Sequence, residues 1–326
     1  MKTAASEKVL IVSTNWIGDA IMSMPALQLF RQAHPAAEIT VLMKPGLKAL
    51  WLMHPAADHF QTLEEMVPTI GKLRQAHFDR AYVFPNSFRS AFLPFMAGVP
   101  RRIGPRGHWR RLMLTEIVNP PDGHQQFEYL KILGVQGEPP APQLNVPEES
   151  FQSLEEKLGN FLRSGKPVIT LLPGAARGPS KRWPAEHFIR LAKKLRAELG
   201  AQILLGGGPD DAAACAAIAA EAGPDVISLA GRTTIPEWAA LLKMSDCVVS
   251  NDSGGMHLAT AVGTPVAAIF GFTDPKKTGP LGRNAVVQKS RVRARDVARD
   301  SDAARLALAA VTPDEVFAAV AGLLNG

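Results

Sequence analysis

The sequence predicts an α/β protein of two Rossmann-like, doubly wound domains that face each other across a cleft. Three observations carry that expectation. The chain has 326 residues, more than one hydrophobic core usually organises. Short β-rich runs alternate with apolar residues at helical spacing, the pattern of parallel strands joined by right-handed crossovers. The alternation stops at a proline-rich stretch, residues 137–147 (GEPPAPQLNVP), and then restarts, so that stretch reads as an interdomain linker. The expected domains are 1–147 and 148–326, with the last helix, 312–326, free to pack back on the first domain.

The elements follow in order. Residues 8–13 (KVLIVS) read as a fully buried parallel strand. Residues 20–33 carry apolar side chains at helical spacing, 38–43 (EITVLM) and 79–84 (DRAYVF) read as strands, and 87–97 reads as a helix. In the second half, a helix at 149–164 precedes strands at 167–172, 202–205, 226–229, 247–250 and 265–270. Helices at 184–199, 209–222, 235–243 and 253–262 alternate with them. The final helix opens at Thr312, where Thr-Pro-Asp-Glu has the form of a capping box with proline at the first helical position. Doubly wound sheets bind ligands beyond the carboxyl ends of their strands, so the active site is expected between the two halves.

Composition narrows the function classes. Apolar residues make up 46% of the chain and charged residues 20%, and no apolar run approaches the length that spans a bilayer. The short polar start of the chain lacks the apolar core of a secretory signal, so a cytoplasmic location is expected. Cys215 and Cys247 have no metal or redox spacing and read as buried thiols. A formal charge of +6 and a pI of about 9.4 point to an anionic partner, which can be nucleic acid, a membrane surface or a phosphorylated substrate. The basic residues are dispersed except in Arg101, Arg102, Arg106, Arg110 and Arg111, and in Arg291, Arg293 and Arg295.

Four segments at predicted strand ends carry chemistry. In residues 14–25 (TNWIGDAIMSMP), Gly18 permits a tight turn and Asp19 falls at a helix start. There the carboxylate either takes a proton from an attacking hydroxyl or simply caps the helix. In 173–184 (PGAARGPSKRWP), a glycine-rich loop brings Lys181 before a helix, which suits a phosphate; the other reading is a connecting loop with a solvated lysine and a core Trp183. Arg177 and Arg182 add charge there, and the loop lacks the Gly-Lys-Ser/Thr of a P-loop.

In 250–257 (SNDSGGMH), Ser253, Gly254 and Gly255 can present bare N–H groups at a helix N-terminus to a pyrophosphate. Asp252 then serves a sugar hydroxyl or a cap, and His257, one turn on, either reaches the site or is a satisfied core histidine. The segment GGGPDD (206–211) places Gly206 and Asp210 where a nucleotide fold holds a ribose, without the dinucleotide fingerprint that hydride-transfer chemistry requires. The run RRIGPRGHWRR (101–111), with His108 and Trp109 interleaved, reads as a loop for phosphates, whether of nucleic acid or of a phosphorylated glycolipid, or as solvated surface.

Together NWIGDAIMSMP, PNSFRSAFLPFMAGVPRRIGPRG, LPGAARGPSKRWPAEHF and SNDSGGMHLATAVGTPVAAIFG resemble, in order and spacing over residues 8–282, the ADP-heptose:lipopolysaccharide heptosyltransferases of glycosyltransferase family 9. The similarity is greatest to those that add the second heptose. The resemblance implies a GT-B glycosyltransferase fold and inverting transfer of heptose from ADP-heptose to the lipopolysaccharide inner core. It implies Asp19 as base and Lys181 against the donor phosphates. Gly174, Ala175, Gly206, Asp210, Thr234, Asp252, Ser253, Gly254, Gly255 and His257 are the further donor candidates, and Asn15, Asn86, Arg89, Arg101, Arg106 and Arg110 the acceptor candidates.

No cofactor is expected, and no metal, because a DxD-type motif is lacking. Peripheral contact with the inner membrane is expected from the lipid acceptor; nucleic acid is not an expected partner. The alternatives are a transferase for a different nucleotide sugar or glycan acceptor and, from a different class, a basic nucleic-acid-binding protein. The chain departs from the second-heptose enzymes at Ala176, where they usually carry an acid, and in the basic, cysteine-free segment 289–308.

Overall fold

The computed structural model describes residues 6–107, 109–159, 161, 165–176, 178–288 and 301–325. His108, Arg177, Arg291, Arg293 and Arg295, singled out above, lie outside the described residues. The chain divides into two compact units, Met1–Asn145 and Val146–Gly326.

The first unit contains β1 (Lys8–Val12), α1 (Ile17–Ala33), β2 (Glu38–Met43), α2 (Lys48–Leu52), β3 (His59–Thr62), α3 (Met66–Ala76), β4 (Arg80–Val83), α4 (Phe88–Met96), β5 (Arg101–Pro105), β6 (Glu116–Val118) and α5 (Gln126–Leu133). The second contains α6 (Glu148–Leu158), β7 (Val168–Leu172), α7 (Ala185–Leu199), β8 (Gln202–Leu205), α8 (Ala212–Ala222), β9 (Val226–Ser228), α9 (Ile235–Lys243), β10 (Cys247–Asn251), α10 (Gly254–Ala261), β11 (Val266–Phe270), α11 (Pro275–Thr278), β12 (Asn284–Gln288), α12 (Asp302–Ala309) and α13 (Pro313–Asn325).

Each unit is built on one six-stranded sheet, ordered β3-β2-β1-β4-β5-β6 in the first and β12-β11-β10-β7-β8-β9 in the second. Every ladder is parallel. The central strands owe their place to residues buried on both faces, such as Val9, Leu10 and Ile11 in β1 and Val248 and Val249 in β10. In both sheets the order reverses beside the first strand, between β1 and β4 and between β7 and β10. Ligands of such sheets sit beyond the carboxyl ends at that reversal.

The structure alters several expected boundaries. Helix α1 begins at Ile17 instead of residue 20, and α8 at Ala212 after a separate short turn, Pro209–Asp211. The segment expected to be an Arg-rich loop starts instead as strand β5, pairing Arg80↔Arg101, Ala81↔Arg102 and Tyr82↔Ile103. Backbone pairing to β4 overrides its polar sequence, and Gly104 permits the fit, since a Cβ there would lie 2.8 Å from the Val83 carbonyl oxygen. Helix α13 packs on α7 and on β10, β11 and β12 of its own unit, with Val316, Val320 and Leu323 in that unit's core. Cys215 and Cys247 are buried free thiols, both pushed up to about 12, first by burial. Among the described residues, no single helix is long and apolar enough to cross a membrane.

Candidate functional site

At the reversal of the second sheet, one buried side chain organises the loops. Asn251, the last residue of β10, donates from Nδ2 to the Pro173 carbonyl oxygen at 2.7 Å and accepts at Oδ1 from the Trp183 N–H at 3.1 Å. It thereby holds both arms of the loop between β7 and α7. Trp183 is fixed further by its indole N–H, which donates to the Val311 carbonyl at 2.9 Å. With its arms held, the loop delivers Lys181, at the end of the short turn Pro179–Lys181, to Asp252, with Nζ 2.5 Å from Oδ2. Both side chains are mostly buried. Removing either would strand a charge away from water. Lys181 is therefore paired, and not the solvated lysine of the alternative reading.

Asp252 does not cap α10. The N-cap is Ser253, whose side chain makes no capping hydrogen bond, and the first turn holds no acid. The first N–H groups of a helix have no partner within it, so this end is suited to an anion. Gly255 also has a packing role that its sequence does not show. A Cβ there would come within 2.6 Å of Leu172 Cδ1 and 2.9 Å of Trp238 Cζ2, so glycine lets α10 sit down on the sheet. His257 is buried within the same helix.

The acid that folds toward this region is Asp211, while Asp210 points to solvent. Asp211 Oδ2 accepts from the Gly208 N–H at 3.1 Å, and a Cβ on Gly174 would lie 2.2 Å from that same oxygen. The space beside Gly174 is thus filled by a carboxylate from the next loop. Arg182 borders it, with Nε 3.3 Å from the Ala175 carbonyl oxygen and Nη2 3.8 Å from Asp211 Oδ1. Gly206 is a close-packing position too, its Cβ site being 3.1 Å from Trp238 Nε1, a buried donor without a hydrogen-bond partner among the described residues. Thr234 caps α9, accepting from the Glu237 N–H at 3.3 Å in a complete capping box.

At the reversal of the first sheet, the N-cap of α1 is Trp16 and Asp19 is the helix's third residue. The carboxylate lies in the first turn, where the helix dipole favours negative charge. Gln125 Nε2 lies 3.4 Å from Asp19 Oδ1 and donates to Tyr129 Oη at 2.6 Å. Burial, and then the charge of Asp19, raise the Glu128 carboxyl and hold the Tyr129 phenol well above its ordinary range. These three residues escaped the sequence reading.

Asn15, Asn86, Arg89, Arg101 and Arg106 are exposed. Arg110 is wholly buried and leaves the surface cluster: Nη1 donates to the Pro85 carbonyl at 2.7 Å, and burial lowers the guanidinium to about 10. Gly107 makes room for it, as a Cβ there would meet Arg110 Cδ at 2.7 Å. Among the described residues, no group of three or more His, Cys, Asp or Glu is placed to hold a metal ion.

The family model described as glycosyltransferase family 9 (heptosyltransferase) matches residues 69–304. The chain is 32% identical over 314 residues to lipopolysaccharide heptosyltransferase 2 of Escherichia coli, covering 86% of this chain and 87% of the relative. It is also 32% identical over 308 residues to lipooligosaccharide heptosyltransferase 2 of Haemophilus ducreyi, covering 86% and 88%. The solved structure of E. coli ADP-heptose LPS heptosyltransferase II superposes with a TM-score of 0.86 at 29% identity, covering 98% of each chain.

Proposed function

The chain belongs to glycosyltransferase family 9, the heptosyltransferase family, and on that premise we propose that it transfers heptose from ADP-L-glycero-D-manno-heptose to the inner core of lipopolysaccharide, as the second heptose. The observation that carries this reading is the Lys181–Asp252 pair beside the uncapped start of α10. It places one cation, one carboxylate and a row of helix N–H groups where a nucleoside diphosphate and its sugar can share them.

In the proposed reaction Asp19 takes the proton of an inner-core heptose hydroxyl, whose oxygen forms a bond to the anomeric carbon as the bond from that carbon to the ADP oxygen breaks. The configuration inverts, and ADP leaves with the electron pair. Lys181 and the N–H groups following Ser253 balance the charge that grows on the departing phosphate. Gly174, Ala175, Gly206, Asp210, Gly254, Gly255 and His257 complete the proposed donor site, with Asp211 added to it. Thr234 enters through the start of α9 that it caps. Asn15, Asn86, Arg89, Arg101 and Arg106 are the proposed acceptor contacts, and Arg110 acts through the loop it anchors. The protein works as a peripheral partner of the inner face of the cytoplasmic membrane, where a lipid-borne acceptor is held.

The test is ADP release from ADP-heptose in the presence and absence of a heptosylated inner-core acceptor. Acceptor-dependent release is the expected result. Release with another nucleotide sugar but none with ADP-heptose would replace the donor assignment, and release independent of acceptor would reduce the activity to hydrolysis.

A further inference from the structure

Six arginines lie from Arg89 to Arg111, and no carboxylate occurs between Asp79 and Glu116. The structure turns two of the six inward. Arg110 is buried, and Arg102 donates from Nε to the Met113 carbonyl at 2.5 Å while its guanidinium lies 5.4 Å over the Phe95 ring. The other four, Arg89, Arg101, Arg106 and Arg111, are exposed.

Between them the chain makes one tight turn, with the Met113 and Leu114 N–H groups both donating to the Arg110 carbonyl at 2.9 and 3.1 Å. Arg110, Met113 and Leu114 are buried beneath that turn, whereas Trp109 and Leu112, three residues apart, are each 86% exposed. Trp109 takes a left-handed backbone conformation, φ 57°, which a tryptophan adopts only under constraint. The turn is anchored at one end through Arg110 to Pro85 and at the other through Arg102, which touches both Met113 and Phe95. This second anchor joins it to the C-terminal end of α4, where Phe95 and Met96 are also exposed. All four apolar side chains stay at the surface.

We propose that this turn and the adjoining end of α4 form a docking surface for an anionic lipid bilayer, with Trp109 and Leu112 entering the headgroup region. The occupant follows from the chemistry. Exposed Arg106 and Arg111 flank the turn along the chain and no acid lies in the segment, so its charge complements anionic headgroups. Tryptophan with aliphatic neighbours suits the boundary between headgroups and acyl chains. Leucine and methionine offer no stacking platform for nucleic-acid bases. The inference rests on the proposed function only in that a lipid-borne acceptor gives the docking a purpose, and the experiment separates the two.

Sedimentation of the full chain with phosphatidylcholine vesicles, with and without phosphatidylglycerol, measures the docking. Native protein is expected to bind the anionic vesicles at least ~10-fold more tightly than the neutral ones. The Trp109→Ser/Leu112→Ser double variant is expected to lose ~10-fold or more of that binding, with Trp109→Phe retaining most of it. Arg111→Gln is expected to weaken it roughly 5-fold. Thermal melting checks that each variant folds, and the single Trp109→Ser and Leu112→Ser variants give the same reading at smaller amplitude if the pair unfolds. Turnover of a deacylated, water-soluble acceptor is expected to stay native in the double variant, so lost docking is read apart from lost transfer. Equal vesicle binding by native and double variant overturns the proposal, as does native protein that ignores lipid charge or that is retained by RNA and not by vesicles.

Discussion

The two sheets have the same strand order, yet their reversal points are furnished in opposite ways. Where β1 gives way to α1, a carboxylate stands inside the first turn of the helix, and exposed Asn15 and Asn86 lie in the segments that follow β1 and β4. Where β10 gives way to α10, the first turn has no acid, and the nearby carboxylate of Asp252 is matched by Lys181. A helix start that already holds its own anion has little attraction for a second one, while a bare start next to a lysine attracts one. In the proposed reaction, one topology thus serves a proton-accepting end in the first unit and an anion-holding end in the second.

The contrast is broken most severely at Asp19. Asp19→Asn keeps shape and hydrogen-bonding capacity but removes the base, and transfer is expected to fall by roughly 100- to 10,000-fold. ADP binding, measured by calorimetry, should remain native because the carboxylate belongs to the other end of the division of labour. If turnover survives within a few fold, the first reversal point is not the proton-accepting one.

Lys181→Met tests the opposite end. Loss of a charge-assisted contact worth about 1.5–3 kcal/mol predicts an ADP Kd raised roughly 10- to 100-fold. The same change leaves Asp252 unpaired, so the melting temperature should fall as well. Adding Asp252→Asn is expected to restore stability without restoring affinity, which divides Lys181's structural role from its ligand role. Unchanged ADP affinity in Lys181→Met would mean that the lysine serves only its pair.

How much of this was legible in the sequence depends on how far each signal reaches along the chain. The α/β class was readable because β1, β7, β10 and β11 are short, mostly apolar runs, and Lys181 and Asp252 lie in loops that follow such runs. Strands β3 (HFQT) and β5 (RRIGP) carry no apolar pattern and exist through backbone pairing to a neighbour already in place. The clamp at Asn251 joins residues 78 and 68 positions away, a distance over which local spacing is silent. The inward fold of Asp211 follows from the short turn Pro209–Asp211, where the third residue folds back to the Gly208 N–H. Surroundings of Asp19 came from α5, whose eight residues carry too little periodicity to read.

Glycines sharpen the comparison at the level of packing. Gly255→Ala pushes a methyl against Leu172 and Trp238 under the anion-holding end, which predicts a loss of about 1–3 kcal/mol. Gly71→Ala, inside α3 of the first unit with nothing within 4 Å of the added carbon, is expected to stabilise by roughly 0.5–1 kcal/mol. Opposite shifts in the melting temperature are the expected outcome. A neutral Gly255→Ala would mean that α10 can move off the sheet, and the anion-holding end would then be looser than its contacts imply.

A pH-dependent effect comes from the scaffold behind that end. Burial alone would raise Glu237, but hydrogen bonds from Lys157, Ser153 and the Thr234 N–H outweigh it and hold the carboxyl at about 2. Those bonds tie α9 to α6 at 2.6 Å through Lys157 Nζ and 2.5 Å through Ser153 Oγ. A carboxyl depressed in the folded state stabilises above the ordinary carboxylate range, and that contribution disappears as pH falls toward the depressed value. Glu237→Gln should therefore cost about 1 kcal/mol near neutral pH, with the gap to native closing as pH drops from ~4.3 toward about 2. Melting curves across that range check it. A gap that persists unchanged into acid would assign the loss to packing of α9 on α6 instead of to the charge.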